Sequence, residues 1–224
     1  MKPEYLARQS TIIMPESLKY RVTIVGCGAI GSHTAMSLAR MGFEHITIID
    51  DDVVSEENMN SQGYFLEHIG IPKVQCLADM INRATGTAVT PILSRVTEHD
   101  RISTDILIAA VDSMKARMDI YNSFTGGVGY FIDPRMGAEY AKLVVYRKSV
   151  DPTDFYAKTW FPDSEGISEP CTAKATVYCA NLLSGLVVKA VKDIVCGNPY
   201  TRNLDWDIKN NRLDGWDSDK KRII

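Results

Sequence analysis

Short, unbroken apolar runs alternate along this chain with stretches whose apolar residues recur every three to four positions. Val22-Thr23-Ile24-Val25, preceded by Arg21, is short and rich in β-branched residues. Such a run predicts a strand buried on both faces, as in a parallel sheet. From Ile30 to Met41 the spacing turns helical, and His45 to Ile49 forms a second strand-like run. Pro72 to Asn82 predicts a helix with Val74, Leu77, Ala78 and Ile81 on one face and Pro72 in its first turn. Val89 to Val96 reads as a short strand interrupted by Pro91, and Asp105 to Val111 as a buried strand ending at Asp112. Ser113 is placed to cap a following helix that reaches Phe124, and Tyr130 to Asp133 is a further short strand.

This alternation predicts an α/β fold: a Rossmann-like, doubly wound, mostly parallel sheet with helices on both faces. The last third is less regular. Glu139 to Tyr146 alternates weakly and predicts an added antiparallel portion, and Lys148 to Pro170 is loop-like, with prolines at 152, 162 and 170. Ala173 to Val195 reads as a long apolar helix rich in small residues, suited to the core or to a second subunit. The tail from Asn203, with Trp206 and Trp216 among charges, reads as a hairpin or a docking segment. A single domain over 1–224 is expected: an N-terminal arm (1–20), a nucleotide-binding core (21–135), a crossover loop and long helix (136–200) and a C-terminal tail (201–224).

The junction of the first strand and helix reads Gly26-Cys27-Gly28-Ala29-Ile30-Gly31, a G-x-G-x-x-G pattern. Glycines there permit a tight turn and let a phosphate approach backbone N–H groups at the positive end of a helix. Asp50 follows Gly26 by twenty-four residues, at the end of the next strand, where a carboxylate accepts the ribose hydroxyls of a nucleotide. Gly26, Asp50 and Asp112 all fall just beyond strand C-termini, so one crevice can hold them. Between Asp50 and Gln62 the chain adds Asp52 and Asn58, polar groups that a simple dehydrogenase does not require.

Composition narrows the alternatives. With 224 residues, 45% apolar and 24% charged, the chain has ordinary globular composition, and a net charge of -3 gives no electrostatic case for nucleic acid or an anionic membrane. No run approaches the roughly 18 apolar residues of a membrane helix. Met1-Lys2-Pro3-Glu4-Tyr5 lacks a signal-peptide apolar region, which predicts a cytoplasmic location. The five cysteines are widely spaced with no C-x-x-C pair, so neither a disulfide framework nor a structural zinc is expected. The four histidines show no ligand spacing.

The ordered set Gly26-x-Gly28-x-x-Gly31, Asp50-x-Asp52, Asn58-x-x-x-Gln62, Lys73 and Asp112-x-x-x-x-Arg117 resembles the ThiF/MoeB adenylyltransferases, relatives of the ubiquitin-activating enzymes. The resemblance runs from the N-terminus to about Arg135 and, less specifically, through the helix from Ala173. It implies binding of ATP and Mg2+, adenylation of the C-terminal carboxylate of a ubiquitin-like or sulfur-carrier protein with release of pyrophosphate, and a homodimer. By resemblance, Gly26, Gly28, Ala29, Ile30 and Gly31 cradle the nucleotide with Asp50, Asp52, Asn58 and Gln62. Lys73 places positive charge on the phosphates, and Asp112 and Asp52 bind or orient the metal, a hard cation that takes carboxylates and phosphate oxygens. The alternatives from the residues alone are a helix-capping acid at Asp112 and a solvated lysine at position 73. Arg117, in mid-helix, is expected to hold the loop through an ion pair.

The sequence departs from the family at Ser61-Gln62, where relatives usually carry Arg-Gln; a hydroxyl replaces neither the charge nor the fork of a guanidinium. Arg8, in Tyr5-Leu6-Ala7-Arg8-Gln9, resembles the arginine that enters a partner subunit's site; it is that compensating cation in trans or a solvated residue of a leading helix. Cys171 precedes the long helix and is a candidate thioester nucleophile or else a half-buried thiol. Cys27, Cys179 and Cys196 read as packing. Arg135, in Asp133-Pro134-Arg135-Met136-Gly137, points into the crevice toward the acyl substrate or belongs to a surface turn. Two other functions stay open: an NAD-dependent oxidoreductase, which leaves Asp52, Lys73 and Asp112 without roles, and a non-catalytic nucleotide-binding scaffold, which Ser61 favours.

Overall fold

A computed structural model describes residues 4–127, 129–152, 154–162 and 175–219. Five strands form the predicted parallel core: β1 (Arg21–Val25), β2 (His45–Asp50), β3 (Thr90–Leu93), β4 (Ile106–Ala109) and the first half of β5 (Tyr130–Gly137). Three more continue the sheet antiparallel: β6 (Tyr140–Arg147), β7 (Thr201–Asp207) and β8 (Arg212–Asp217). The order is β3-β2-β1-β4-β5-β6-β7-β8, so the tail is a hairpin that extends the sheet.

Alternate side chains of each strand enter different cores, which is why the central strands read as continuous apolar runs. Ile24, Ile46, Ile48, Ile106, Ile108 and Ile132 pack under α1 (Ala29–Arg40), α2 (Lys73–Thr85) and α5 (Val177–Val195). Val25, Ile49, Leu107, Ala109 and Phe131 face the opposite layer, with Ile120 of α3 (Met114–Ser123) and Tyr156 of α4 (Asp154–Ala157). Each buried Val, Leu, Ile or Phe side chain among them contributes about 1.5–3 kcal/mol.

The small residues of α5 have a structural use: the helix lies against α1, close enough for Ser184 Oγ to donate to the Ile30 carbonyl at 3.0 Å. Its described part begins later than the periodicity predicts, at Val177, because Ala175 bridges Ala138 and Thr176 is the N-cap. Two other boundaries are corrected. The strand expected over Val89–Val96 is confined to Thr90–Leu93, an edge strand that tolerates Pro91. Asp133 to Gly137 is not a turn but the second half of β5. Pairing with β4 stops at Ile132, so Pro134 lies past the last parallel register position. Among the described residues, no helix is long and apolar enough to cross a membrane.

Candidate nucleotide site

The C-terminal ends of β1, β2 and β4 open onto a cleft of about 1600 Å³. Gly26, Gly28, Ala29, Ile30, Asp50, Asp52, Asn58, Gln62, Lys73 and Asp112 all line it. Ser61 and Arg117 contribute to its walls as well.

The β1–α1 turn is closed by contacts that only glycine permits. Gly26 has φ +93°, and a methyl group there would sit 2.3 Å from the Ala110 carbonyl oxygen. One on Gly31 would lie 1.8 Å from the Gly26 carbonyl oxygen; Gly31 does not itself line the cleft but lets the helix start this close. Above Gly28, by contrast, there is open space as far as Gln62 Nε2, 3.9 Å from where a Cβ would be. That is room for a phosphate over the N-terminus of a 12-residue helix. Gly31→Ala is therefore expected to cost about 1–3 kcal/mol of stability through overpacking, read from a denaturant midpoint, together with weaker nucleotide binding by calorimetry.

Asp50 is held rigidly. Its Oδ2 accepts from the Cys27 N–H at 2.5 Å and its Oδ1 from the Asp52 N–H at 2.8 Å, leaving further lone pairs turned to the cleft. The Tyr64 hydroxyl donates to the Cys27 carbonyl at 2.7 Å, so the glycine loop is pinned from two sides. Tyr64 was not legible as a site residue, since it offers only an aromatic among loop residues. Burial pushes the Cys27 thiol well up, reinforced by the Asp50 charge, in keeping with a packing role.

Lys73 is the first residue of α2, where a cation opposes the helix dipole, and is only 6% exposed. That excludes the solvated-lysine alternative. Its Nζ donates to Asp52 Oδ2 at 2.9 Å, and its N–H to the Asp52 carbonyl at 3.0 Å. Asp112 is exposed in the cleft lining, and it is not the helix cap: Ser113 Oγ accepts from the Ala116 N–H at 3.2 Å.

Of the loop amides, Asn58 Oδ1 accepts from the Ser55 N–H at 3.0 Å and so shapes the loop as well as lining the cleft. Gln62 Oε1 is buried without a hydrogen-bond partner, a state that a bound donor would relieve. Ser61 is 5% exposed and its carbonyl meets His33 Nε2 at 3.1 Å. Arg117 is committed internally: it donates to the carbonyls of Ala109, Val111 and Pro134 and pairs with Asp133, as expected of a loop-holding residue.

Arg135 is placed differently from the crevice-pointing alternative. It donates to Asp133 at 2.8 Å and to Thr159 through two nitrogens, and it does not line the cleft. The cluster with metal-ligand spacing among the described residues is Asp50, Asp51 and Asp52 rather than a set including Asp112. Arg95, Lys115 and Asp51 line the cleft without a sequence signal, Arg95 pairing with Asp51 at 3.2 Å.

Arg8 lies in a 3-10 segment at the far end of α1, where Gln9 Nε2 donates to the Met41 carbonyl at 2.5 Å. The 12 residues of α1 separate it from its own cleft by about 18 Å. Cys171 falls outside the described residues. Cys179 is buried, its thiol pushed up to about 11 by burial, and Cys196 is half-buried.

Residues 14–130, just over half of the chain, match the ThiF family. The chain belongs to that family. It is 33% identical to the Escherichia coli tRNA threonylcarbamoyladenosine dehydratase over 199 residues, covering 80% of this chain and 72% of the relative. It is 31% identical to the Yarrowia lipolytica adenylyltransferase and sulfurtransferase UBA4 over 102 residues, covering 43% of this chain and 26% of UBA4. The match to the Drosophila melanogaster Nedd8-activating enzyme E1 catalytic subunit is 33% over 104 residues, 44% of this chain. The matched segments span about a quarter of UBA4 and of that subunit. Among solved structures, E. coli MccB with MccA-N7isoASN superposes with a TM-score of 0.74, covering 96% of this chain and 72% of MccB at 13% identity. The E. coli dehydratase in complex with ATP gives 0.66, covering 87% and 94% at 17% identity. This places the ThiF-family chain in the MoeB-like Rossmann fold.

Proposed function

We propose that this ThiF-family chain is an adenylyltransferase that uses ATP and Mg2+ to activate a carboxylate as an acyl-adenylate, releasing pyrophosphate. The observation that carries this reading is Lys73: a nearly buried cation, held against its helix dipole and paired with a carboxylate, in a cleft otherwise built for a nucleotide. A dinucleotide-dependent oxidoreductase has no use for that charge or for the acids around it.

The donor set fits ATP and its metal. Gly28 leaves space for phosphate, Asp50 presents acceptors to the ribose, and the orphaned Gln62 Oε1 awaits a donor. The cleft walls carry seven carboxylates (Asp50, Asp51, Asp52, Glu56, Glu57, Asp112, Asp119) against four cations (Lys73, Arg95, Lys115, Arg117). ATP entering such a wall needs a divalent ion to offset like-charge repulsion. Mg2+ bound there would supply charge neutralisation on the phosphates; Asp52, within the Asp50–Asp51–Asp52 cluster, would hold it and Asp112, lining the same cleft, would orient it. Lys73 leaves Asp52 for the phosphates as negative charge gathers on the departing pyrophosphate.

The substrate we favour is the C-terminal glycine of a ubiquitin-like or sulfur-carrier protein, delivered in the cytoplasm. Exposed Phe65, Leu66, Ile69 and Ile71, following Gln62 in the chain, offer apolar surface beside the cleft for a partner. A carboxylate on a modified tRNA nucleoside is a second reading, favoured by the coverage of the dehydratase and opposed by the acidic walls. ATP–pyrophosphate exchange with Mg2+, run against a panel of carriers ending in Gly-Gly and against tRNA, separates them. Exchange that needs a carrier and falls in Asp112→Asn supports the lead; ATP binding without exchange under any substrate supports the scaffold reading that Ser61 favours.

With Ser61 in place of arginine, Arg8 of a second copy is the proposed compensating cation in a homodimer. Arg8→Ala is expected to lower exchange at least about tenfold without altering the melting temperature. Heterodimers of Arg8→Ala with Lys73→Met subunits are expected to retain one working site. Unchanged exchange in Arg8→Ala homodimers would end the idea.

A further inference from the structure

Asp133 does not line the cleft, yet it is the centre of a buried network spanning two regions of the molecule. It is 0% exposed, between Arg117 at 5% and Arg135 at 8%. Toward the cleft, Asp133 Oδ1 pairs with Arg117, whose Nη1 also donates to the Ala109 carbonyl at 3.0 Å and whose Nη2 donates to the Val111 carbonyl. These two carbonyls flank Ala110 of the cleft wall and lead directly into Asp112. Away from the cleft, Asp133 Oδ2 accepts from Arg135 Nε at 2.8 Å and from the Tyr156 hydroxyl at 2.8 Å. Arg135 then holds the chain after α4, donating to the Thr159 carbonyl at 2.7 Å and Oγ1 at 2.8 Å. Trp160 packs edge-on against Tyr156, with ring centroids 5.5 Å apart.

We propose that Asp133 is a positioning residue that couples the seating of the Thr159 segment to the placement of the Asp112 wall. A buried carboxylate shared by two guanidiniums is tolerable only while each keeps its partners, because an unpaired buried charge is costly. A shift of the Ala109–Asp112 backbone on ligand entry moves Arg117, and Arg117 repositions the acid that Arg135 and Tyr156 share. Conversely, undocking Thr159 frees Arg135 and loosens the other guanidinium's grip on the wall. The coupling rests on the nucleotide reading of the cleft.

Trp160 reports it. A Trp206→Phe/Trp216→Phe background leaves Trp160 as the single tryptophan of the chain. In that protein, titration with Mg2+ and AMPCPP is expected to change Trp160 emission in step with calorimetric saturation. Arg135→Lys keeps a cation on Asp133 but loses the fork that grips Thr159, and Thr159→Val removes a half-buried hydroxyl that accepts from Arg135 and donates to the Tyr156 carbonyl. Both are expected to bind AMPCPP within about threefold of the parent while the Trp160 response is largely lost, more so in Arg135→Lys. A folding defect in Arg135→Lys leaves Thr159→Val to decide. An unchanged response in the folded variants, or AMPCPP binding with Trp160 silent in the parent, overturns the coupling. No AMPCPP binding at all overturns the nucleotide reading, and the coupling with it.

Discussion

Lys73→Met is expected to slow ATP–pyrophosphate exchange by roughly 10²–10³, the scale of losing one preorganised charge or donor at the site of developing negative charge. ATP affinity should fall much less, because the Asp50 carboxylate and the glycine turn remain. The expected signature is thus a large drop in maximal exchange rate with a modest rise in the ATP concentration for half-saturation. Methionine matches the length of the lysine stem, so the buried aliphatic contacts are kept. The substitution also removes a cation from the first turn of α2, which by itself favours the helix. Exposed Asp52 loses its partner but stays in water. A melting temperature equal to or above the parent's, combined with the lost rate, would mark Lys73 as retained for chemistry rather than stability. Equal losses in rate and stability would assign it a structural role.

The same residue shows how much of the site was legible in the sequence. A lysine at a helix start is out of place electrostatically, a conflict visible in the sequence alone. Gly26, Gly31 and Asp50 were legible because strand, turn and helix periodicities fixed their places in the fold. Asp112 reads from the sequence as a cap or a ligand, and the cap alternative falls because Ser113 holds the cap. Tyr64 and Arg95 carried no signal, since their contacts with Cys27 and Asp51 arise only when the loops fold together.

The parallel core was equally readable, through Ile and Val runs buried on both faces. The antiparallel half was readable in part: Glu139–Tyr146 alternates weakly enough to mark an added antiparallel strand, and the tail reads as a hairpin or a docking segment, but its strand bounds carry no signal. In Thr201–Asp207 only Thr201 and Leu204 are buried, so no period-two pattern emerges. In β5 the polar run Asp133-Pro134-Arg135 imitates a turn. It survives as strand because its charges satisfy each other and Pro134 lies beyond the end of β4 pairing.

That internal satisfaction sets the second large effect: Asp133→Ala is expected to lose about 3–5 kcal/mol of unfolding free energy near neutral pH, the cost of breaking a buried ion pair and leaving charge behind. Two guanidiniums would then be buried without their shared acid, and Tyr156 without its acceptor. Burial alone would push the Asp133 carboxyl up, but Arg117 and Arg135 outweigh it and, with the Tyr156 hydroxyl, hold it below the usual carboxylate range. A depressed folded-state value means the stabilisation is complete above the unfolded value, about 3.9, and is lost as pH falls through the lower folded one. The wild-type protein should therefore lose this contribution only in strong acid, whereas Asp133→Ala should show a flatter stability profile over the same range. Denaturant unfolding at neutral pH and near pH 3 measures both. A neutral-pH loss below ~1 kcal/mol would mean that water relieves the stranded guanidiniums, and that the network is not the closed, dry unit that its burial indicates.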